Sequence, residues 1–258
     1  AWSEAARIEL ESGRLAGGAP FLAGARRAAG GHAAEAMDPP RLRQAIAQAA
    51  LDAGRPADAD AEAQRAAACV EPERPVLRAR IAYTRADAAV QQGRLDDALA
   101  HLRDALDVLG PEGDPMERAR SHALLGWVLG YRLGDNAEGI AHGRRALELA
   151  ARLDVPAFRA SLCGRLGANY LRAGDWDGQL ATNEDDLALS TRARDVAGIV
   201  RANINLGVCH HNRGALARAR AHTEAAADLA GRCGVNGAAQ IAHNNLAMIA
   251  LDDGRDDE

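Results

Sequence analysis

Apolar residues, mostly alanine and leucine, return at three- and four-residue spacings along nearly the whole chain, the period of a helix with one buried face. The stretch Arg165-Leu166-Gly167-Ala168-Asn169-Tyr170-Leu171-Arg172-Ala173-Gly174-Asp175-Trp176 reads as one helix, a glycine-aspartate turn and the start of the next helix. Variants of it recur toward both ends. Gly13, Gly54, Gly93, Gly134, Gly174, Gly214 and Gly254 each close an alanine-rich amphipathic run, at gaps of 41, 39, 41, 40, 40 and 40 residues. A polar residue or arginine and a second helical run then follow, as in Gly54-Arg55-Pro56, Gly93-Arg94-Leu95 and Gly134-Asp135-Asn136. A residue just past a helix C-terminus commonly takes a left-handed conformation, which glycine reaches without a Cβ clash. Two helices repeated at this period are the mark of an α-solenoid. The predicted fold is therefore all-α, a row of antiparallel helix hairpins.

Helices are predicted in pairs over Trp2–Ser12 and Leu15–Ala29, Arg41–Ala53 and Ala57–Val70, Val76–Gln92 and Leu95–Leu109, and Met116–Leu133 and Ala137–Leu153. A central pair opens at Pro156 and ends near Thr191, followed by Val196–Arg213 with Leu216–Gly231. The break Met37-Asp38-Pro39-Pro40 suits a helix start, Glu71-Pro72-Glu73-Arg74-Pro75 and Pro111-Glu112-Gly113-Asp114-Pro115 separate pairs, and Pro156 opens the central one. A last helix, Gly237–Asp253, has no partner helix after it and carries Ile241, Leu246, Met248, Ile249 and Leu251. No break is long enough for an interdomain linker, so residues 1–258 are expected to form one array of about six pairs plus that unpaired helix. A terminal repeat normally turns a polar face outward. An apolar final helix and a start at Ala1-Trp2-Ser3 make the chain an expected fragment of a longer protein.

Composition narrows the picture. Hydrophobic residues make up 48% but aromatics only 3%, so helix interfaces must be thin and close. All 31 basic residues are arginine, and the formal net charge of −5 argues against general affinity for nucleic acid. Cys69, Cys163, Cys209 and Cys233 lack CxxC spacing and are expected to be reduced core thiols of a cytoplasmic protein. No apolar run reaches the ~18 residues of a membrane helix, and no signal peptide is expected.

Alignment on the turn glycine reveals a second regularity. Leu166-Gly167 with Tyr170, and Leu206-Gly207 with His210, stand at equal distances before their turns; Leu125-Gly126 with Leu129 has one residue more before Gly134. Trp2 occupies the opening aromatic place of the first unit. Past the turn, small residues match at Ala98 and Ala105, Gly139 and Ala146, and Ala219 and Ala226. The central unit departs from this with Gln179, Asn183 and Asp186, which implies a register shift of that helix or a face turned to water or ligand.

Over essentially its whole length the chain resembles the tetratricopeptide repeat, in the 40-residue form of kinesin light chains, Pins-type adaptors and bacterial maltose-regulator-like signalling ATPases. The resemblance implies a right-handed superhelix whose first helices line a concave face. The stripe beside the buried Leu-Gly pair then gives Arg80, Tyr83 and Asp87; Arg120 and Trp127; Arg165; Arg201, Asn205 and Val208; and Asn244, Asn245 and Met248. Arg80, Arg120 and Arg201 share one register once the extra residue is counted. Arginine forks pair with carboxylates, and asparagine amides bond a peptide backbone in both directions. By resemblance, Asn205 and Asn245 match positions with which family members hold extended peptides.

The expected function is a protein-interaction or ligand-sensing array of a larger bacterial signalling protein, taking an acidic or extended peptide, or a partner domain, in its groove. Self-association through the uncapped last helix is the alternative. An enzyme is not expected. No lysine exists for a GxxxxGK phosphate loop, and HExxH and GxSxG are absent. Consecutive Cys209, His210 and His211 diverge by ~100° each on a helix and cannot converge on one metal. Asp175-Trp176-Asp177-Gly178 lacks the further acidic ligands of a calcium loop. No metal or cofactor is expected.

Overall fold

A computed structural model describes residues 39–254. Eleven α-helices follow one another among them: α1 (Pro39–Asp52), α2 (Pro56–Ala67), α3 (Pro75–Gln91), α4 (Leu95–Leu109), α5 (Pro115–Trp127), α6 (Asn136–Ala150), α7 (Pro156–Ala173), α8 (Trp176–Ala193), α9 (Val196–Asn212), α10 (Leu216–Arg232) and α11 (Asn236–Asp252). No strand occurs among the described residues. The predicted pair at Trp2–Ser12 and Leu15–Ala29, with Gly13 and Trp2, lies outside them.

Helix starts follow local chemistry. Proline, whose missing N–H has no intrahelical role at a first turn, opens α2, α3 and α7. Asp135, Asp175 and Asp195 cap α6, α8 and α9 by accepting from the backbone N–H of Glu138, Gly178 and Gly198. The Asp175-to-Gly178 stretch is thus a helix cap, and Asp177 beside it pairs with Arg213.

Helix ends bear out the expectation for the turn glycines. Gly54, Gly93, Gly134, Gly174, Gly214 and Gly254 all have φ between 69° and 84°. The N–H groups of Arg55, Arg94, Asp175 and Ala215 reach back five residues to the carbonyls of Ala50, Ala89, Tyr170 and His210, satisfying carbonyls the helix leaves unpaired. A Cβ on Gly174 would meet nothing within 4 Å, so the cost of Gly174→Ala is conformational alone, about 1 kcal/mol. Gly231, also in open space but inside α10, has an ordinary helical backbone. There the same substitution is expected to stabilise by about 0.5–1 kcal/mol. Urea unfolding followed by circular dichroism should return opposite signs for the two variants.

The extra residue before Gly134 has a structural answer. Val128–Arg132 forms one π-helical turn after α5, in which the Leu133 N–H bonds the Val128 carbonyl at 3.0 Å. A π turn takes up a single inserted residue within a helix. The predicted helix Met116–Leu133 is therefore α5 plus this turn.

The described residues fall into two compact units, one ending at Ser121 and one beginning at His122. In the first, α1 packs on α2, α2 on α3 and α3 on α4, and α1 also touches α3. Its core is mostly alanine with a few larger residues, such as Ala47, Ala63, Ala66, Leu77 and Ile81. In the second, α6 packs on α7, α7 on α8, α8 on α9, α9 on α10 and α10 on α11. Val200, Ala226, Ala230 and Ala242 join one of its clusters.

One sequence expectation is corrected. Helix α8 is not shifted in register, nor does its unusual stripe face water: Gln179, Asn183, Asp186 and Ser190 are all buried at 0–2% exposure. They stand where α10 places Ala219, Thr223, Ala226 and Ala230, also buried. The inner face of α8 is thus polar where that of α10 is mostly alanine. The cysteines divide as well: Cys163 and Cys209 are core thiols, whereas Cys69 and Cys233 sit exposed at the ends of α2 and α10, and all four are free.

Candidate peptide-binding face

Within each unit consecutive first helices touch, α1 with α3, and α7 with α9 and α9 with α11. They run in the same direction, so residues equally far from their turn glycine lie side by side. In the second unit this produces three rungs. Ser161, Arg201 and Ile241 form one, Arg165, Asn205 and Asn245 the next, and Ala168, Val208 and Met248 the third. Trp127 belongs to the third once the π turn is counted. Asn244 lies beside the middle rung.

The candidate residues separate into two groups. Arg80, Arg120 and Arg201 all donate to buried carboxylates. Arg80 sends Nε and Nη2 to Glu117 Oε1 at 2.9 and 2.6 Å. Arg120 Nη1 reaches Glu117 Oε2 at 3.4 Å, and its guanidinium lies 5.6 Å from the centre of the Tyr83 ring. Arg201 grips Asp186 with Nη2 at 2.9 Å and Nε at 3.3 Å. Glu117 and Asp186 are 2% and 0% exposed. Tyr83 is itself buried, a support for Arg120 more than a contact surface.

The second group has no such attachments. Arg165, Asn205, Asn244 and Asn245 make no side-chain hydrogen bond or ion pair among the described residues. Arg165, Asn205 and Asn245 are half-buried and Asn244 exposed. Trp127 is half-buried, stacked on Tyr131 with ring centres 5.4 Å apart, and carries Arg132 at 5.7 Å.

Burial sets the ionisation of the groups beneath this face. It pushes the Asp186 carboxyl above its usual range, and Arg201 with Ser190 opposes the shift. It drives the Cys163 thiol up to about 12, with Asp185 and Asp186 adding to the effect, so this sulfur is no nucleophile at neutral pH. His210 and His222 are both held below the ordinary histidine value, first by burial, and they stack with centres 5.4 Å apart. Neighbouring His211 turns instead to Asp252 at 2.6 Å, and the Cys209 thiol to the Trp176 carbonyl. Cys209, His210 and His211 thus diverge, and among the described residues no three His, Cys, Asp or Glu side chains are placed to hold a metal ion.

Sequence reasoning missed the carboxylates beneath the arginines. For Asp186 a signal existed, an acid where the repeat puts a small residue. For Glu117, near the start of α5, composition and spacing gave none.

No protein-family model matches this sequence, and no curated protein matches it by sequence. Solved structures do match. A signal transduction ATPase with a tetratricopeptide repeat sensor from Pyrococcus horikoshii superposes with TM-score 0.71 at 16% identity, over 82% of this chain and 32% of its own. A Rap protein complexed with competence and sporulation factor gives 0.68 at 15%, over 98% and 72%. A kinesin light chain protein of nearly identical TPR-like repeats from Podosopora anserina gives 0.61 at 15%, over 77% and 99%. The chain thus spans about a third of the signalling ATPase. Its fold is that of a tetratricopeptide-repeat array, an all-α solenoid of hairpins. No helix among the described residues is long and apolar enough to cross a membrane.

Proposed function

We propose that this chain is a protein-interaction scaffold within a larger signalling or regulatory protein, and that the first helices of the second unit hold an extended peptide. The row of unattached side chains Arg165, Asn205, Asn244 and Asn245 across α7, α9 and α11 carries this reading. Amides held half-buried without partners are donors and acceptors awaiting a backbone. Beside them Val208 and Met248, the latter 54% exposed, offer apolar contact to alternate side chains of the same strand. Three first helices set about 9–10 Å apart span an extended segment of roughly six to eight residues. The tetratricopeptide repeat sensor of the signalling ATPase, and the factor bound by the Rap protein, support a binding role.

Selection from a displayed library of random peptides of about eight residues tests this. Enrichment is expected with the unaltered chain and is expected to vanish with Asn205→Ala and Asn245→Ala combined, while helical circular dichroism stays the same. Equal enrichment by both proteins, or none by the unaltered chain, would count against the groove.

A further inference from the structure

Four places before its turn glycine, α7 carries Tyr170 in the core, and the hydroxyl accepts from Arg144 Nε at 2.9 Å. The same place in α9 holds His210. This ring is 5% exposed, and its Nδ1 is buried with no hydrogen-bond partner among the described residues. Across the hairpin stands His222 of α10, with the ring planes 12° apart and the centres 5.4 Å apart. The Asn203 amide fixes how this second ring is protonated. Asn203 Nδ2 donates to the Ile199 carbonyl at 2.9 Å, which turns Oδ1 toward His222 Nδ1, also at 2.9 Å. His222 therefore carries its proton on Nδ1, and Nε2 is the atom left to take a second one.

We propose that the His210–His222 pair is an acid-sensitive latch behind the peptide-bearing face: a proton taken up by either ring parts α10 from α9 and releases a peptide held across Asn205 and Asn245. The release rests on reading that face as a peptide groove; the parting of the helices does not. Two neutral imidazoles stack without penalty, whereas a charged His210 would be shut away from water with its Nδ1–H unanswered. The surrounding charges also favour the neutral pair. Arg218 of α10 and Arg213 in the turn act on His210 against a proton, Arg213 being partly offset by its pairing with Asp177. Glu184 of α8 acts the other way on both rings, but it is exposed to water. None of these charges comes from α7 or α11, and Asp252 of α11 goes to His211 instead. Both rings are held below the ordinary histidine value, so the unfolded chain takes up protons first, and stability present above pH ~6.5 is lost as the pH falls below it. Opening reaches the groove because α11 is seated on α10 more than on α9, so Asn245 moves with α10 away from Asn205.

Hydrogen exchange of the 258-residue chain, read by mass spectrometry between about pH 7 and about pH 5 and corrected for the intrinsic pH dependence of exchange, tests the latch. Exchange in α9 and α10 is expected to rise about tenfold for each unit by which burial lowers a histidine, while α7 changes little. His210→Leu combined with His222→Thr places there the residues that matching positions already hold, Leu129 and Thr182, and is expected to abolish the rise. A peptide enriched in the selection and free of histidine and acidic residues is expected to bind both proteins alike at neutral pH. On acidification the parent chain alone is expected to lose affinity, again about tenfold per unit. The ring Hε1 signals of His210 and His222, followed by NMR in the parent chain, give a reading independent of any variant: both are expected to titrate below ~6.5. Titration of either ring at or above that value would overturn the latch, as would an exchange rise just as large in the double variant. Opening of the hairpin with peptide affinity unchanged by pH would sever the latch from the groove. Opening with no peptide ever captured would remove the groove reading and leave the acid response of the hairpin standing.

Discussion

Replacing Gly139 by alanine is expected to cost about 3 kcal/mol of stability in the second unit, read as a lowered urea midpoint by circular dichroism. The new Cβ would lie 2.6 Å from the Gly130 Cα, 2.7 Å from its nitrogen and 2.9 Å from the Gly126 carbonyl oxygen. All three are backbone atoms, so no rotamer change relieves the clash and helix α6 must move away from α5 and its π turn. Movement there breaks more than apolar contact. Asn169, 1% exposed on α7, donates through Nδ2 to the carbonyls of Gly126 and Gly139 at 3.1 and 3.0 Å, tying three helical segments at one point. Separation of α6 from α5 would leave a buried amide short of partners, a penalty of the same sign. A loss no larger than that of Gly174→Ala would show that the glycine contact yields easily.

Arg201→Ala is expected to cost about 2–4 kcal/mol at neutral pH. It would leave the Asp186 carboxylate at 0% exposure with the Ser190 hydroxyl, 3.0 Å away, as its remaining hydrogen-bond donor. The lower end of the range reflects the exposure of Arg201 itself, since water screens part of the pair. The pH dependence identifies the cause. Burial already raises the Asp186 carboxyl above its ordinary value, and loss of Arg201 removes the opposing influence. An acid whose folded-state pKa exceeds its unfolded one binds a proton more readily when folded, so stability is recovered as pH falls through the folded value toward ~4. The deficit of Arg201→Ala relative to the parent chain should therefore be largest near pH 7 and shrink on acidification. A deficit constant across that range would mean that Arg201 contributes only its hydrocarbon stem.

How far the residues alone reveal this molecule depends on what each one reports. The turn glycines report a backbone torsion, and every marker among the described residues has the left-handed φ expected of it. Hairpin pairing followed from the same markers, because a short turn between two amphipathic helices leaves them little choice but to lie antiparallel. The interior of α8 was harder. A stripe of Gln179, Asn183, Asp186 and Ser190 suggests solvent by its chemistry, and only position relative to Gly174 and Gly214 argues for the interior. Position prevails because neighbouring helices on both sides bury whatever the stripe contains. At the candidate site, spacing identified the stripe of the first helices but could not divide it. Whether an arginine is tied down depends on a buried carboxylate within reach, which for Arg80 and Arg201 comes from another helix, while Arg165 has none.

The π turn at Val128–Arg132 bears on how such a chain changes length over generations. A single added residue would ordinarily rotate everything beyond it by ~100° and carry the buried stripe out to solvent. Here the surplus is absorbed within one widened loop of backbone, and Gly134 and the hairpin partner α6 continue in step. Small insertions in one hairpin can then be inherited without compensating changes in the next, which suits a lineage whose units measure 39 in one place and 41 in another.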